Sequence, residues 1–324
     1  MRLHNQRFPL RNMHYLITGA SGLIGSALNQ LLQKQSCDIT CQSRVKHVSG
    51  PSVHWIEHDL IKDDWSGCGL PPVDVVFYLA GQTSINLARE NPIFDLDSNV
   101  IGLVRLLEYF RRSGQKPFVV FASTATLLGF NKVNPIHEGM KEVPSTFYDA
   151  SKYTAESYLL QYIRYGYVGG CILRLANVYG RSNSAQASDR GVIDKIFNAA
   201  LSGQNIKVFG TGEYLRDYIH VDDVASAFTS AASASDRTNG KYYYLGTGQS
   251  LTLNDAFSRV AALAERVTKN LVQIEHVEFP VGAALTDSRN VIIDISKFIS
   301  DTGWTSRYDF QGGIEHSYLN AHPR

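Results

Sequence analysis

The feature that most constrains this chain is a glycine-rich segment between a strand pattern and a helix pattern. Residues 13–18 are largely apolar and predict a buried strand, and residues 26–33 carry apolar side chains at helical spacing. Between them lies Gly-Ala-Ser-Gly-Leu-Ile-Gly, residues 19–25. Such glycines let the backbone turn tightly and approach a pyrophosphate, which the free N–H groups of the helix N-terminus can bind. The segment therefore predicts a dinucleotide-binding βαβ unit.

The end of the second predicted strand bears on which dinucleotide binds. Residues 38–42 predict this strand, and Ser43 and Arg44 follow it. In this fold the strand tip meets the adenosine ribose, where an acidic residue favours NAD and an arginine can pair with the 2′-phosphate of NADP. The cofactor is thus NAD or NADP, and Ser43-Arg44 favours NADP. The alternative is a solvated arginine in a loop that also holds Lys46.

Strand and helix patterns alternate through the first 180 residues. This alternation predicts an α/β chain with a doubly wound parallel sheet of the Rossmann type, with ligands at the carboxyl ends of the strands. After residue 180 the alternation is lost, which favours a smaller C-terminal α/β lobe for the substrate. The predicted divisions are a tail over 1–12, a dinucleotide-binding domain over 13–180 with a returning segment at about 217–247, and mainly the substrate lobe over 181–324.

A tyrosine and a lysine near the middle of the chain lie four residues apart. If residues 148–163 are helical, Tyr148 and Lys152 share one helix face. A nearby cation favours phenolate over phenol, so we expect Lys152 to lower the pKa of Tyr148 from its usual value of about 10. Tyr148 is then a candidate general acid and base. The alternative interpretation is a surface pair.

The charge balance and the cysteines exclude several classes of function. Lys and Arg number 31 against 30 Asp and Glu, so no basic field points to nucleic acid or to an anionic membrane. The four cysteines show no zinc-ligand or Cys-x-x-Cys spacing, and we predict no metal site and reduced thiols in the cytoplasm. No apolar run approaches the roughly 20 residues that span a bilayer.

Nine segments follow one another in an order that is typical of a single family. They are residues 18–25 (TGxxGxxG), 59–60, 78–81, 99–102 (NVxG), 122–129, 173–180 (LRLANVYG), 215–223 (LRDYIHVDD), 287–289 and 303–304. Together they resemble the extended short-chain dehydrogenases/reductases, in the nucleotide-sugar epimerase/dehydratase branch. The resemblance covers about residues 13–305.

The resemblance implies a role for each matching residue. Tyr148 exchanges the proton of a sugar hydroxyl or ketone, Thr124 hydrogen-bonds the reacting oxygen, and Lys152 holds the nicotinamide ribose. Asn177, Arg216 and Arg289 contact the substrate, the two arginines through its diphosphate. The implied cofactor contacts are Gly19, Ser21, Gly22, Leu23, Ile24, Gly25, Ser43, Arg44, Asp59, Leu60, Leu79, Ala80, Gly81, Asn99, Tyr148 and Lys152.

The sequence departs from the family pattern in three ways. Ala125 and Thr126 replace the Asp-Glu pair of the dehydratases, so 4,6-dehydration is not expected. Leu128 replaces a tyrosine, and Ser43-Arg44 resembles the ending of NADPH-using 4-keto-sugar reductases. The leading prediction is hydride transfer at C4 of a nucleotide-diphospho-sugar, by an epimerase or a 4-keto reductase.

Two other functions stay open on the same fold. One is an NADP-dependent reductase of a non-nucleotide alcohol or ketone, and the other is a catalytically silent NADP-binding regulator. The resemblance also implies a homodimer through helices at about 99–112 and 148–165. The resemblance also suggests polysaccharide synthesis as the pathway in which the protein acts.

Overall fold

The protein was analysed as a computed structural model, which describes residues 13–129, 133–181, 191–279 and 288–319. The predicted tail over residues 1–12 lies outside the described residues. The strands are β1 (His14–Thr18), β2 (Asp38–Ser43), β3 (Val53–Glu57), β4 (Val75–Tyr78), β5 (Phe118–Thr124), β6 (Gly169–Leu175), β7 (Asn177–Tyr179), β8 (Ile206–Phe209), β9 (Leu215–His220), β10 (Tyr242–Leu245), β11 (Ser250–Thr252) and β12 (Ile274–Val277).

Helices alternate with most of these strands. They are α1 (Leu23–Gln33), α2 (Ile85–Glu90), α3 (Pro92–Leu96), α4 (Gly102–Ser113), α5 (Phe147–Arg164), α6 (Val192–Leu201), α7 (Val221–Ser233), α8 (Ser235–Thr238), α9 (Leu253–Thr268), α10 (Ser296–Thr302) and α11 (Phe310–Leu319). None of the helices in the described ranges combines the length and the apolar character that crossing a membrane requires.

The central sheet has seven strands in the order β10-β6-β5-β4-β1-β2-β3, and every pair is parallel. Strands β4 and β5 are buried along their whole length, as expected for strands covered on both faces. Apolar residues of α1 and α7 pack on one face, and those of α4 and α5 pack on the other. The predicted doubly wound parallel sheet is confirmed.

Two small sheets, formed by β7 and by strands after residue 180, lie beside the central sheet. Strand β9 pairs with β7 in parallel and with β11 in antiparallel orientation, and β12 pairs with β8 in parallel. Helices α6, α9 and α11 close a separate apolar cluster around them. Strand β10 returns to the central sheet beside β6. The domain boundaries at residues 180 and 181 stay a prediction.

The structure differs from the predicted elements at the edge where ligands are expected. Strand β4 ends at Tyr78, because the next two N–H groups, of Leu79 and Ala80, donate to the Thr18 hydroxyl instead of a neighbouring strand. The helix expected from Asn99 is preceded by a π-helical turn, Asp97–Ile101. The sequence patterns did not indicate strand β7, which has three residues, or strand β9, which has six.

Helix α5 is tied to the sheet by a buried ion network around Arg174. This side chain lies in β6, is 1% exposed, and pairs with Glu156 of α5 at 2.7 Å and with Glu142 at 2.8 Å. Its Nη1 also donates to the Tyr244 hydroxyl at 3.0 Å. Burial alone would lower the pKa of Arg174, but Glu156 more than offsets this and raises it. The network therefore holds α5 against β6.

Replacing Arg174 by methionine is expected to lower the free energy of unfolding by about 3–5 kcal/mol, because two carboxylates lose their buried partner. Urea denaturation measures the change. The control is Arg266→Met, which breaks an exposed pair with Glu315 and is expected to cost less than about 1 kcal/mol. Equal, small losses in the two variants would contradict this account of the network.

Candidate active site

The glycine loop leaves its backbone open to a ligand. Gly19 has φ +65°, and a Cβ there would lie 2.9 Å from the Ala80 Cα atom. A Cβ on Gly25 would lie 2.4 Å from the Gly19 carbonyl oxygen. Only glycine fits these two positions, so the loop packs against the end of β4. Helix α1 starts after Gly22, which provides no side-chain cap for its N–H groups. This cradle fits a dinucleotide pyrophosphate.

The end of β2 lies beside this loop. Ser43 is buried and its hydroxyl donates to the Ser21 hydroxyl at 3.3 Å, whereas Arg44 is exposed. The neighbouring Gln42 was missed by the sequence analysis: its Oε1 accepts the Gly19 N–H at 2.9 Å and its Nε2 donates to the His58 carbonyl at 2.5 Å. The strand also holds Thr40 and Ser43, so its pattern gave no distinct signal for Gln42. Gln42 thus fixes the glycine loop to β2.

The other predicted cofactor residues lie along the same edge of the sheet. Leu23 and Ile24 are half-buried in the first turn of α1, and Leu60 is buried against α4. The Asp59 Oδ1 atom accepts the Ile61 N–H at 2.9 Å, so this carboxylate caps a local turn. The structure therefore brings these residues to one edge, while their contacts with a cofactor stay a prediction.

Buried polar atoms without partners also mark this edge. Asn99 is 1% exposed, and its Nδ2 donates to the Asp95 carboxylate at 2.9 Å. Its Oδ1 has no hydrogen-bond partner among the described residues and lies 2.6 Å from where a Gly81 Cβ would be. The Ser123 hydroxyl is likewise buried without a described partner. Because such atoms are costly to leave unpaired, they fit a site that binds a polar ligand.

The three predicted catalytic residues converge at the carboxyl end of β5. Thr124 is the last residue of β5, and Tyr148 lies in the first turn of α5. The Thr124 hydroxyl lies close enough to Tyr148 to lower the pKa of its phenol. One turn further along, the Lys152 Nζ donates to the Ala122 carbonyl at 2.5 Å and lies 4.3 Å from the centroid of the Phe121 ring. All three side chains are buried.

Burial dominates the pKa values of Tyr148 and Lys152. Its effect on Tyr148 is opposite to the effect that the helix spacing predicted. It raises the pKa of Tyr148, and the charges of Asp149 and Asp95 raise it further, while the Thr124 hydrogen bond lowers it. Burial also lowers the pKa of Lys152 to about 8, against the opposing effect of Glu156. A desolvated phenol resists ionisation more than the Lys152 spacing alone suggested, so the expected lowering of the Tyr148 pKa is not seen in this geometry.

Two further residues at this site were not identified from the sequence. Thr126, noted only as a departure from the dehydratase pattern, has its hydroxyl 2.9 Å from that of Thr124 and donates to the Asp149 carboxylate. Asp149 is 1% exposed. Its position directly after Tyr148, behind the helix cap Thr146, was the available signal.

The predicted substrate residues lie on the side of the site that faces the C-terminal lobe. Asn177 begins β7 and is half-buried. Arg289 is 9% exposed, and its Nη1 donates to the Gly129 carbonyl at 2.5 Å. Arg216, in β9, donates to the backbone carbonyl of Arg289. The two arginines are therefore neighbours beside the loop that follows β5. Asp287, part of the same predicted pattern, lies outside the described residues.

Comparisons with known proteins identify the family of the chain. A model of the NAD dependent epimerase/dehydratase family matches residues 15–246. The UDP-glucose 4-epimerase of Mycolicibacterium smegmatis is 30% identical over 260 residues, which are 77% of this chain and 82% of that protein.

Solved structures give the same result. UDP-glucose 4-epimerase of Thermotoga maritima, with UDP-glucose, has a TM-score of 0.83 at 26% identity and covers 96% of this chain and 100% of its own. The UDP-glucose 4-epimerase of Thermus thermophilus, in complex with NAD, has a TM-score of 0.78 at 25% identity. The match covers 94% of this chain and 97% of that one. The chain belongs to the NAD-dependent epimerase/dehydratase family, as its motifs predicted.

Proposed function

We propose that this protein is an NAD(P)-dependent epimerase that inverts C4 of a nucleotide-diphospho-sugar. The observation that carries the proposal is the convergence of the Thr124 and Tyr148 hydroxyls and the Lys152 ammonium beside the glycine cradle. The family match supports the reaction class. The UDP-glucose and the NAD in the titles of two similar structures support the class of substrate and of cofactor.

The chain's own groups fit the proton chemistry of such a reaction. When bound, a nicotinamide supplies the acceptor and then the donor of a hydride. Tyr148 takes the proton of the sugar hydroxyl and returns it, and Thr124 orients the Tyr148 hydroxyl. The buried Lys152 ammonium, one helical turn from Tyr148, is assigned to the ribose hydroxyls of the cofactor, and its charge favours negative charge on the reacting oxygen.

The substrate's diphosphate is assigned to the two neighbouring arginines. Arg216 and Arg289 lie side by side, and planar guanidinium groups suit phosphate oxygens. Each also donates to backbone carbonyls, so they join the lobe to the site loop. Asn177 at the start of β7 completes the proposed substrate contacts. The uridine base is suggested by the relatives alone.

A 4-keto reductase is the second candidate, and Arg44 is the observation that favours it. Arg44 is exposed at the tip of β2, and buried Ser43 offers no charge to repel a phosphate. We therefore propose that Arg44 gives NADP(H) the advantage over NAD(H) in this chain. Reductases that take fresh cofactor at each turnover commonly use NADPH.

We also propose that the protein is a homodimer through α4 and α5. The exposed Tyr153 and Tyr158 of α5, at 39% and 46%, support a helix face that another chain covers. Light scattering on the purified protein tests this, and a mass of one chain would contradict it.

The location of the protein in the cytoplasm stays a prediction from the sequence.

Replacing Tyr148 by phenylalanine is expected to lower kcat for interconversion of UDP-glucose and UDP-galactose by at least about 100-fold, because no group then exchanges the proton. Chromatography of the two sugars measures the rate. The control is Tyr165→Phe, which removes the hydroxyl of an exposed tyrosine at the end of the same helix and is expected to keep the parental rate. Unchanged activity in Tyr148→Phe, or an inactive parent, would refute the assignment.

Titration with NADPH and NADH tests the proposed role of Arg44. The parent is expected to bind NADPH more tightly, and Arg44→Ala to weaken NADPH about tenfold with little effect on NADH, as for the loss of one charge-assisted hydrogen bond. Lys46→Ala, in the same loop, is the matched control. A parent that binds NADH more tightly, or an Arg44→Ala variant that keeps the NADPH preference, would contradict this role.

A further inference from the structure

A buried carboxylate close to the predicted cofactor edge binds two side-chain amides. Asp95 lies in α3 and is fully buried, and Asn99 follows it four residues later, in the π-helical turn Asp97–Ile101. The Asp95 Oδ1 atom accepts the Asn99 Nδ2–H at 2.9 Å and the Gln82 Nε2–H at 2.7 Å. Its Oδ2 atom has no hydrogen-bond partner within the described ranges. Asp95 therefore connects α3 to the π-helical turn and to the loop after β4.

The carboxylate determines how the Asn99 amide is turned. A carboxylate accepts hydrogen bonds and donates none, so the NH2 group of Asn99 must face Asp95. The Asn99 carbonyl oxygen then points the other way and lies 2.6 Å from where a Gly81 Cβ would be. Because Asp95 holds the amide, Asn99 cannot move aside without losing a buried hydrogen bond. Asn99 thus packs its carbonyl oxygen against the backbone of Gly81.

Gln82 fixes the chain directly after this glycine. Its Nε2 donates to the Ser84 carbonyl at 2.9 Å as well as to Asp95, and its Oε1 accepts the Ser84 N–H. The Gln82 side chain is itself buried. Asp95 therefore restrains Gly81 twice, through Asn99 beside it and through Gln82 after it.

The segment that follows β4, residues 79–81 (the β4 segment), contacts the glycine loop at its other end. Its first two N–H groups donate to the Thr18 hydroxyl at 3.1 and 3.2 Å. A Cβ on Gly19 would lie 2.9 Å from the Ala80 Cα atom. The β4 segment is thus held between the glycine loop on one side and the Asn99 amide on the other.

Such restraint bears on ligand affinity. Residues 79–81 lie outside the strands, so no sheet ladder fixes their backbone. A ligand that has to order a mobile segment binds more weakly than one that meets the segment already in place. The β4 segment and the glycine loop are both predicted cofactor contacts, and each packs on the other.

We propose that Asp95 is a positioning residue for the dinucleotide. Through Asn99 and Gln82 it holds the β4 segment against the glycine loop, in the arrangement that the cofactor binds. The role rests on the proposed function only in that it requires a dinucleotide at this edge, and it does not depend on the sugar.

Fluorescence titration with NADH and NADPH tests this role, because it gives both the Kd and the number of sites. Asp95→Leu keeps the side-chain shape and removes the acceptor, and is expected to weaken binding about tenfold with an unchanged number of sites. Asp95→Asn keeps an acceptor for the two amides and is expected to restore the parental Kd to within about threefold. Asp97→Leu, two residues further along, is the matched control and is expected to bind as the parent does.

A second pair of variants tests the route through Asn99. Asn99→Leu is expected to weaken binding about tenfold, and Asp95→Leu/Asn99→Leu about as much as either single variant, because residues that act together are not additive. The double variant replaces both partners by apolar groups of the same shape, so it is expected to fold even where Asp95→Leu is unstable. The urea unfolding midpoint is measured for every variant.

The outcomes separate this role from the proposed function. A parent that binds dinucleotide, with an Asp95→Leu variant of parental Kd, would overturn the role of Asp95 and leave the epimerase proposal standing. Fewer sites at an unchanged Kd would show a purely structural residue and would also overturn it. The same holds for losses that multiply in the double variant, or for an Asp95→Asn variant as weak as Asp95→Leu. A parent that binds neither dinucleotide would refute the proposed function together with this role.

Discussion

The parallel sheet determines where everything else in this molecule can act. Because all seven central strands run in one direction, their carboxyl ends share one edge. The glycine loop follows β1 there, the segment from Leu79 to Gly81 follows β4, and Thr124 ends β5. A side-chain bond holds this edge together, since Thr18 at the end of β1 accepts the N–H groups of Leu79 and Ala80. The close fit of Gly19 against Ala80 depends on that contact.

Burial shifts the pKa values of the side chains at the same edge. Desolvation disfavours the charged form of both Tyr148 and Lys152, so it moves their pKa values in opposite directions. A phenol and an ammonium in such a site need neighbours that fix where their protons lie. The Ala122 carbonyl does this for Lys152, and Thr124, which lowers the pKa of Tyr148, is the neighbour of the phenol. Helix α5 can hold both residues in place because Glu156, on the same helix, is bound to buried Arg174.

Much of this arrangement could be predicted from the sequence, because the strand, glycine loop and helix patterns are local. The parallel sheet and the grouping of Thr124, Tyr148 and Lys152 followed from motif order. What could not be predicted depends on contacts between distant segments. The link from Thr126 to Asp149 crosses from the β5 loop to α5, and the bond from Gln42 to Gly19 crosses from β2 to β1. The shift of the Tyr148 pKa also depends on burial, which helix spacing does not reveal.

The central claim is that a hydride leaves C4 of the sugar and returns to the same carbon within this site. The most direct measurement uses UDP-glucose that carries deuterium at C4, with the product analysed by mass spectrometry and NMR. The account predicts UDP-galactose that retains the deuterium at C4 with inverted configuration. Exchange of the deuterium with solvent, or inversion at another carbon, would contradict it.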